Sequence, residues 1–201
     1  ALWSDLRPRM LATDAVIGNL EGPITTHPIR WNRPKAFYFR ADPKMLDALK
    51  VGNIRCLALA NNHMVDFGSQ GLIDTRGHLE TAGIAFSGAG RDPDEAGAAV
   101  TFQAGQMTIG FVSITNTVPA FRVKVGRPGT NFHGIRHPHR TFRYLVEKIA
   151  GLRAAGADLI VLSIHWGPNY RWWPPRSYRA FARRAIDLGV DIVHGHSAHV
   201  L

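Results

Sequence analysis

With 201 residues, 45% of them hydrophobic, the chain is long enough to bury one sizeable core. Its single cysteine, Cys56, excludes an intrachain disulfide framework, and no run approaches the roughly 18 apolar residues of a membrane-spanning helix. The formal charge of +9 favours anionic partners such as nucleic acid, an anionic polymer or a phosphate-bearing lipid, but no nucleic-acid-binding motif accompanies it and no nucleic acid is expected.

The sequence begins at Ala1 without an initiator methionine and stops just after a histidine-rich stretch. The expectation is therefore one domain over 1–201, cut at both ends, with any signal peptide or anchor upstream. In chain order, a strand at 15–18 leads through an irregular segment, 22–40, to a helix at 43–51. A strand at 54–60, a helix at 69–82 and a strand at 84–86 follow. A hairpin turns at 103–106, between a strand at 100–102 and one at 107–114. A second irregular segment, 116–140, precedes a helix at 141–155, a strand at 159–164, a helix at 176–188 and a strand at 190–193. Gly52, Gly83, Gly156 and Gly189 follow the four helices, where glycine supplies the left-handed stop. Strands alternating with helices imply βαβ units and a largely parallel sheet, and continuous apolar strands suit a sheet covered on both faces. Cys56 lies in such a run and reads as a buried thiol. The basic, aromatic stretch from Arg171 to Arg184 reads mainly as a helix whose Tyr178, Phe181, Ala182, Ala185 and Ile186 face a core, leaving its arginines in solvent.

Residues able to do chemistry fall after the apolar strands. Asn19 and Glu21 follow the first, Asn61, Asn62 and His63 the second, His165 a later one, and His194, His196 and His199 the last. The carboxyl edge of an open parallel sheet is where ligands bind, so distant segments converge there on one site. A carboxylate, an asparagine oxygen and several imidazoles suit Mn, Fe or Zn ions, one or two of them. Taken singly, Asn19 and Glu21 read more readily as turn residues, Asn61, Asn62 and Asp66 equally as loop-shaping groups, and His165 as a satisfied core histidine. The three histidines at 194, 196 and 199 have no structural reason to cluster and tip the balance toward a metal site. His133, His137 and His139, in the basic loop, read as solvated surface groups.

The ordered set Asn19-Leu20-Glu21, Ala60-Asn61-Asn62-His63 with Asp66-Phe67-Gly68, Gly88-Ala89-Gly90-Arg91, His165-Trp166-Gly167 and Gly195-His196-Ser197-Ala198-His199-Val200 resembles the CapA family, linked to poly-γ-glutamate capsule synthesis in bacteria. The resemblance spans nearly the whole chain. It implies a fold similar to calcineurin-like metallophosphoesterases: an α/β sandwich of mixed, largely parallel sheets flanked by helices around a dinuclear metal site. By that likeness Glu21, Asn62, His165, His196 and His199 would be metal ligands and His63 the catalytic histidine; Asp66, one helical turn from His63 if the following helix starts early, would join it in catalysis by orienting its ring. The family usually begins with a Gly-Asp strand that supplies a further metal-binding aspartate; the sequence starts after that point, and neither Asp5 nor Asp14 stands in such a context. The resemblance implies divalent ions, a phosphoester or anionic-polymer substrate, a membrane capsule-synthesis complex, and a place on the outer face of the membrane or in the cell envelope. Two activities remain open: metal-dependent hydrolysis, or non-catalytic binding or export of an anionic polymer by a membrane-tethered accessory protein.

Overall fold

The computed structural model describes residues 3–32, 34–136 and 138–200. Its elements in chain order are α1 (Arg7–Leu11), β1 (Val16–Asn19), α2 (Met45–Val51), β2 (Ile54–Ala58), α3 (Gly68–Ala82), β3 (Ala85–Ser87), β4 (Ala89–Gly90), α4 (Pro93–Ala96), β5 (Val100–Ala104), β6 (Met107–Thr115), β7 (Gly129–Thr130), α5 (His139–Ala154), β8 (Leu159–His165), α6 (Arg176–Asp187) and β9 (Ile192–His196). A parallel sheet has the order β1-β2-β3, and a mixed sheet the order β5-β6-β8-β9, antiparallel only at the β5–β6 hairpin. A two-residue antiparallel pair, β4 with β7, ties the second irregular segment down.

The alternation of side chains along each strand builds four layers. On one face of β6 and β8, Ile109, Phe111 and Val161 pack against Cys56 and Ala58 of β2, which joins the two sheets face to face. On the other face, Val112, Ile114, Ile160, Leu162 and Ile164 meet Leu145, Ile149 and Leu152 of α5 and Phe181 and Ala185 of α6. The opposite flank repeats the arrangement, with Leu57, Leu59 and Ile84 against Leu49 of α2 and Leu72 and Leu79 of α3. Each such fully buried side chain contributes roughly 1.5–3 kcal/mol. The sandwich of mixed, largely parallel sheets between helices is the architecture the sequence implies.

Several boundaries shift by one or two residues from the sequence reading, and two departures have a clear side-chain cause. The last strand starts two residues late, because Asp191 is used as an anchor: its carboxylate accepts from the Ile160 N–H at 2.7 Å and from Arg153 at 2.6 Å. His194 and His196 are therefore residues of β9 and not of the loop behind it. After α2 the left-handed position belongs to Asn53 (φ 54°), whose side chain donates to the Thr13 carbonyl at 2.9 Å. Gly52 is instead a point of close approach, since a Cβ there would lie 2.6 Å from the indole nitrogen of Trp3.

The aromatic stretch before α6 also divides differently. Tyr178 and Phe181 pack inward as expected, but Trp172 and Trp173 precede the helix and are 74% and 84% exposed, and Ile186 lies on the outer side of the helix at 44%.

Candidate functional site

The inward-facing positions of the two sheets change character along the strands. Near the amino ends they are apolar, then come Ser113 and Ser163, and at the carboxyl ends stand Asn19, His165 and His196. His165 is paired with His196 and Ser163 with His194 in the parallel register, so all four side chains share one face.

On the first sheet, Asn61 organises the turn after β2. Its Nδ2 donates to Asn19 Oδ1 (3.1 Å) and the Leu20 carbonyl (2.8 Å), while its Oδ1 accepts from the His63 N–H (3.0 Å). Asn19 in turn donates to Glu21 Oε2 at 3.1 Å. His63 Nδ1 lies 2.6 Å from Asp66 Oδ2, and its Nε2 is 4.0 Å from Glu21 Oε1. An acceptor-only carboxylate at that distance fixes the proton on Nδ1 and leaves Nε2 facing Glu21. Asp66 sits in the turn before α3, its N–H bonded to the His63 carbonyl, so the turn sets this pairing and not the first turn of the helix.

The segment 22–40 closes over this half of the site. The Lys35 ammonium pairs with the Asp66 carboxylate and donates to the Asn62 carbonyl at 2.6 Å. The Phe39 N–H donates to Asp66 at 2.8 Å, and the Phe39 ring stacks on His63 with centroids 4.1 Å apart. The sequence reading missed Lys35 and Phe39, which stand in a stretch with no periodicity; only the general tendency of long irregular loops to act as lids pointed there.

On the second sheet the Nδ1 atoms of His165 and His196 are 2.8 Å apart, and Ser163 Oγ bridges His194 Nδ1 (3.0 Å) and His196 Nε2 (3.1 Å). Burial lowers the pKa of His165 to about 3, helped by the nearby His63 and His199. Burial likewise lowers His196 to about 2, with His165 and His194 adding to it, and also lowers His194. Neutral imidazoles keep their lone pairs available for ligation. His199 is exposed, beside the Tyr170 ring at 5.8 Å between centroids.

Three buried atoms at this edge have no hydrogen-bond partner among the described residues: Asn62 Oδ1, His165 Nε2 and, just after β6, Asn116 Oδ1. An oxygen and an imidazole nitrogen left unsatisfied in a protein interior each cost about 1–3 kcal/mol unless a ligand takes them. Among the described residues, no three His, Cys, Asp or Glu side chains are grouped closely enough to hold an ion as they stand. The donors fit a divalent first-row cation in kind, Asn62 Oδ1 and His165 Nε2 most directly, with Glu21 4.0 Å from His63 and His196 bonded to His165.

His133 is not a surface group. Its Nε2–H donates to Asn131 Oδ1 at 3.0 Å, its ring lies 4.2 Å from that of Tyr144, and burial, with Arg122 adding to it, lowers its pKa to about 4. The second irregular segment packs onto α5 and carries the ring inside with it. His137 lies outside the described residues, and His139 is exposed at the start of α5.

The sequence profile of the bacterial capsule synthesis protein PGA_cap family matches residues 1–201. The chain belongs to this family. It is 36% identical over 196 residues to a "probable polyglutamine synthesis accessory protein" of Mycobacterium tuberculosis, covering 94% of this chain and 50% of that protein. It is 28% identical over 205 residues to the PGA biosynthesis protein CapA of Bacillus subtilis, covering 100% and 51%. It is also 28% identical over 204 residues to the capsule biosynthesis protein CapA of Bacillus anthracis, covering 100% and 48%. The chain spans about half the length of these curated relatives.

Proposed function

We propose that this PGA_cap domain handles an anionic capsule polymer through a metal-dependent hydrolase-type site at the carboxyl edge of its two sheets, working in a capsule-synthesis complex at the cell envelope. The observation that carries the reading is the pair of unsatisfied buried atoms, Asn62 Oδ1 and His165 Nε2, supplied by different sheets beside His63. Asn62, His165, Glu21 and His196 would hold the ion or ions, with His199 as a further imidazole from the adjoining loop. A bound divalent cation would supply Lewis acidity and water activation for cleavage of a phosphoester, another ester or an amide.

The chain's own groups account for the proton and the geometry. Asp66 holds one proton on His63 Nδ1, so a second proton taken up at Nε2 is the one the ring would deliver to a leaving oxygen, returning it to the neutral Nδ1–H form. Lys35 neutralises Asp66 and anchors the Asn62 backbone, and Phe39 covers the imidazole face, so the ring is fixed and shielded from water. General acid catalysis of this kind contributes typically 10²–10⁴-fold.

The second reading is a non-catalytic accessory that binds or exports the polymer. It is favoured by the row of Arg176, Arg179 and Arg183 on the outer face of α6, none of which has an acidic partner among the described residues. The deciding experiment measures bound metal and hydrolysis of a generic phosphodiester for wild type, His63→Ala, Glu21→Ala and His165→Ala. Hydrolase function requires metal in wild type, less metal in Glu21→Ala and His165→Ala, and at least a 100-fold loss of turnover in His63→Ala with metal retained. Metal without turnover selects the accessory reading, and no metal in wild type removes the site.

A further inference from the structure

The parallel register of β8 and β9 pairs Ser163 with His194 and His165 with His196, so these polar side chains share the inward face of two neighbouring strands. Hydrogen bonds join them in a row: His165 Nδ1 to His196 Nδ1 at 2.8 Å, His196 Nε2 to Ser163 Oγ at 3.1 Å, and Ser163 Oγ to His194 Nδ1 at 3.0 Å. His165 and Ser163 are completely buried. At the inner end of the row, His165 Nε2 has no partner among the described residues. At the outer end stands His194, half-buried and unused by the chemistry proposed above.

The number of protons fixes the direction of the row. Burial keeps all three rings neutral, so each carries one N–H and one lone pair, and the serine has one O–H. Were Ser163 to accept from both of its ring neighbours, its own buried proton would have no acceptor among the described residues. Every bond in the row is therefore donated the same way. Outward, His165 Nδ1–H donates to His196, His196 Nε2–H to Ser163 and the Ser163 O–H to His194, which leaves His165 Nε2 as a bare lone pair. Inward, the same nitrogen becomes a buried N–H with no acceptor. Among buried groups an orphaned N–H is rarer than an under-used acceptor, and the outward direction places the terminal N–H on the half-exposed ring instead of in the interior.

We propose that Ser163 and His194 are positioning residues: as the outer anchor of this one-way row they hold the protons on His196 Nε2 and His165 Nδ1, and so keep His165 Nε2 bare for a ligand. This role deepens the metal-site reading above and rests on it only for the identity of that ligand.

The first measurement is made on the metal-free protein with ¹⁵N-labelled histidine, where long-range proton–nitrogen correlation spectra distinguish a protonated ring nitrogen from a bare one. Wild type should show His196 in the Nε2–H form and His165 in the Nδ1–H form, each in about 10-fold excess or more. Ser163→Ala breaks the row, after which either direction strands one N–H and one lone pair, so both rings should give shifts midway between the tautomers. His194→Phe strands the Ser163 O–H in the outward direction and should tip both rings toward the opposite tautomers. His194→Asn, whose amide oxygen replaces Nδ1 as acceptor, should restore the wild-type pattern, and Ser113→Ala, at the paired position on β6, should not disturb it. Zn²⁺ titrated into the same samples should bind about 10-fold more weakly to Ser163→Ala and His194→Phe than to wild type and His194→Asn, the lower end of the loss when a ligating histidine is deprived of its partner. The positioning role is overturned if wild-type His196 carries its proton on Nδ1, if Ser163→Ala leaves both tautomers or the Zn²⁺ affinity unchanged, if Ser113→Ala shifts the tautomers as much, or if His194→Asn behaves as His194→Phe does. Should His194→Phe not fold, Ser163→Ala decides alone. A wild type that binds no Zn²⁺ but shows the expected tautomers, lost in Ser163→Ala, overturns the metal site and leaves the row standing.

Discussion

Replacing Asp66 by asparagine removes one charge from a side chain that is completely buried. The carboxylate serves three donors: His63 Nδ1 at 2.6 Å, the Phe39 N–H at 2.8 Å, and the Lys35 ammonium. Asparagine keeps the shape and one acceptor oxygen, but its amide turns a donor toward either the ammonium or the imidazole N–H. Removing one partner of a fully buried ion pair costs about 3–5 kcal/mol. Lys35 retains some solvent, with 17% of its side chain exposed, which places the expected loss near the lower end, at about 3 kcal/mol. Equilibrium unfolding in urea, followed by tryptophan fluorescence, measures it directly. If the cost comes from a stranded ammonium, Lys35→Met should recover at least about 1 kcal/mol in the double variant relative to the sum of the single ones. A loss below about 1 kcal/mol for Asp66→Asn, or strict additivity with Lys35→Met, would refute the reasoning.

His133 is held neutral in the folded protein down to about pH 4 but takes a proton below its ordinary 6.5 when the chain unfolds. The unfolded state therefore binds more protons between these values, so this contribution is complete above pH 6.5 and is lost as pH falls toward 4, by at most about 3 kcal/mol. His133→Gln should flatten the acid limb of a stability–pH curve in that window; an unchanged slope counts against the assignment. Gly88→Ala should destabilise by about 3 kcal/mol in the same unfolding assay, because φ is 105° and the new Cβ would lie 2.7 Å from the Ala60 backbone nitrogen and from Ser113 Oγ. A loss below about 1 kcal/mol would mean that the junction between β3 and β4 gives way more easily than described. Burial pushes the Cys56 thiol well above its ordinary pKa, so a disulfide reagent should label it only in denaturant; stoichiometric labelling within minutes in native buffer would contradict its position between the sheets.

The parts of the fold legible in the sequence are those where local and tertiary preferences agree. β2, β6 and β8 are continuous apolar runs because both of their faces are covered, and α3 ends at Gly83 in the left-handed conformation expected of it. The start of β9 was not legible because Asp191 uses its side chain to cross-bond Ile160 and Arg153, a contact with no local signature. The site divides in the same way. Glu21, Asn62, His63, His165 and His196 are readable from their place at strand ends, which is a property of the topology. Lys35, Phe39 and Asn116 owe their positions to how long loops pack, and His133 was misread for the same reason: its ring is buried by a segment whose sequence is polar and basic.

The two halves of the site belong to different layers, Glu21, Asn62 and His63 to one sheet and His165 and His196 to the other, and the two are joined mainly by the apolar contacts of Cys56, Ala58, Phe111 and Val161. Any ligand that touches both halves is a staple across that seam. It stabilises the joined layers by the free energy of its own binding, about 2.7 kcal/mol at a hundred times its dissociation constant. Occupancy and cohesion of the sandwich therefore rise and fall together, so a bound cation or polymer end would register as a change in how firmly the whole domain holds shut.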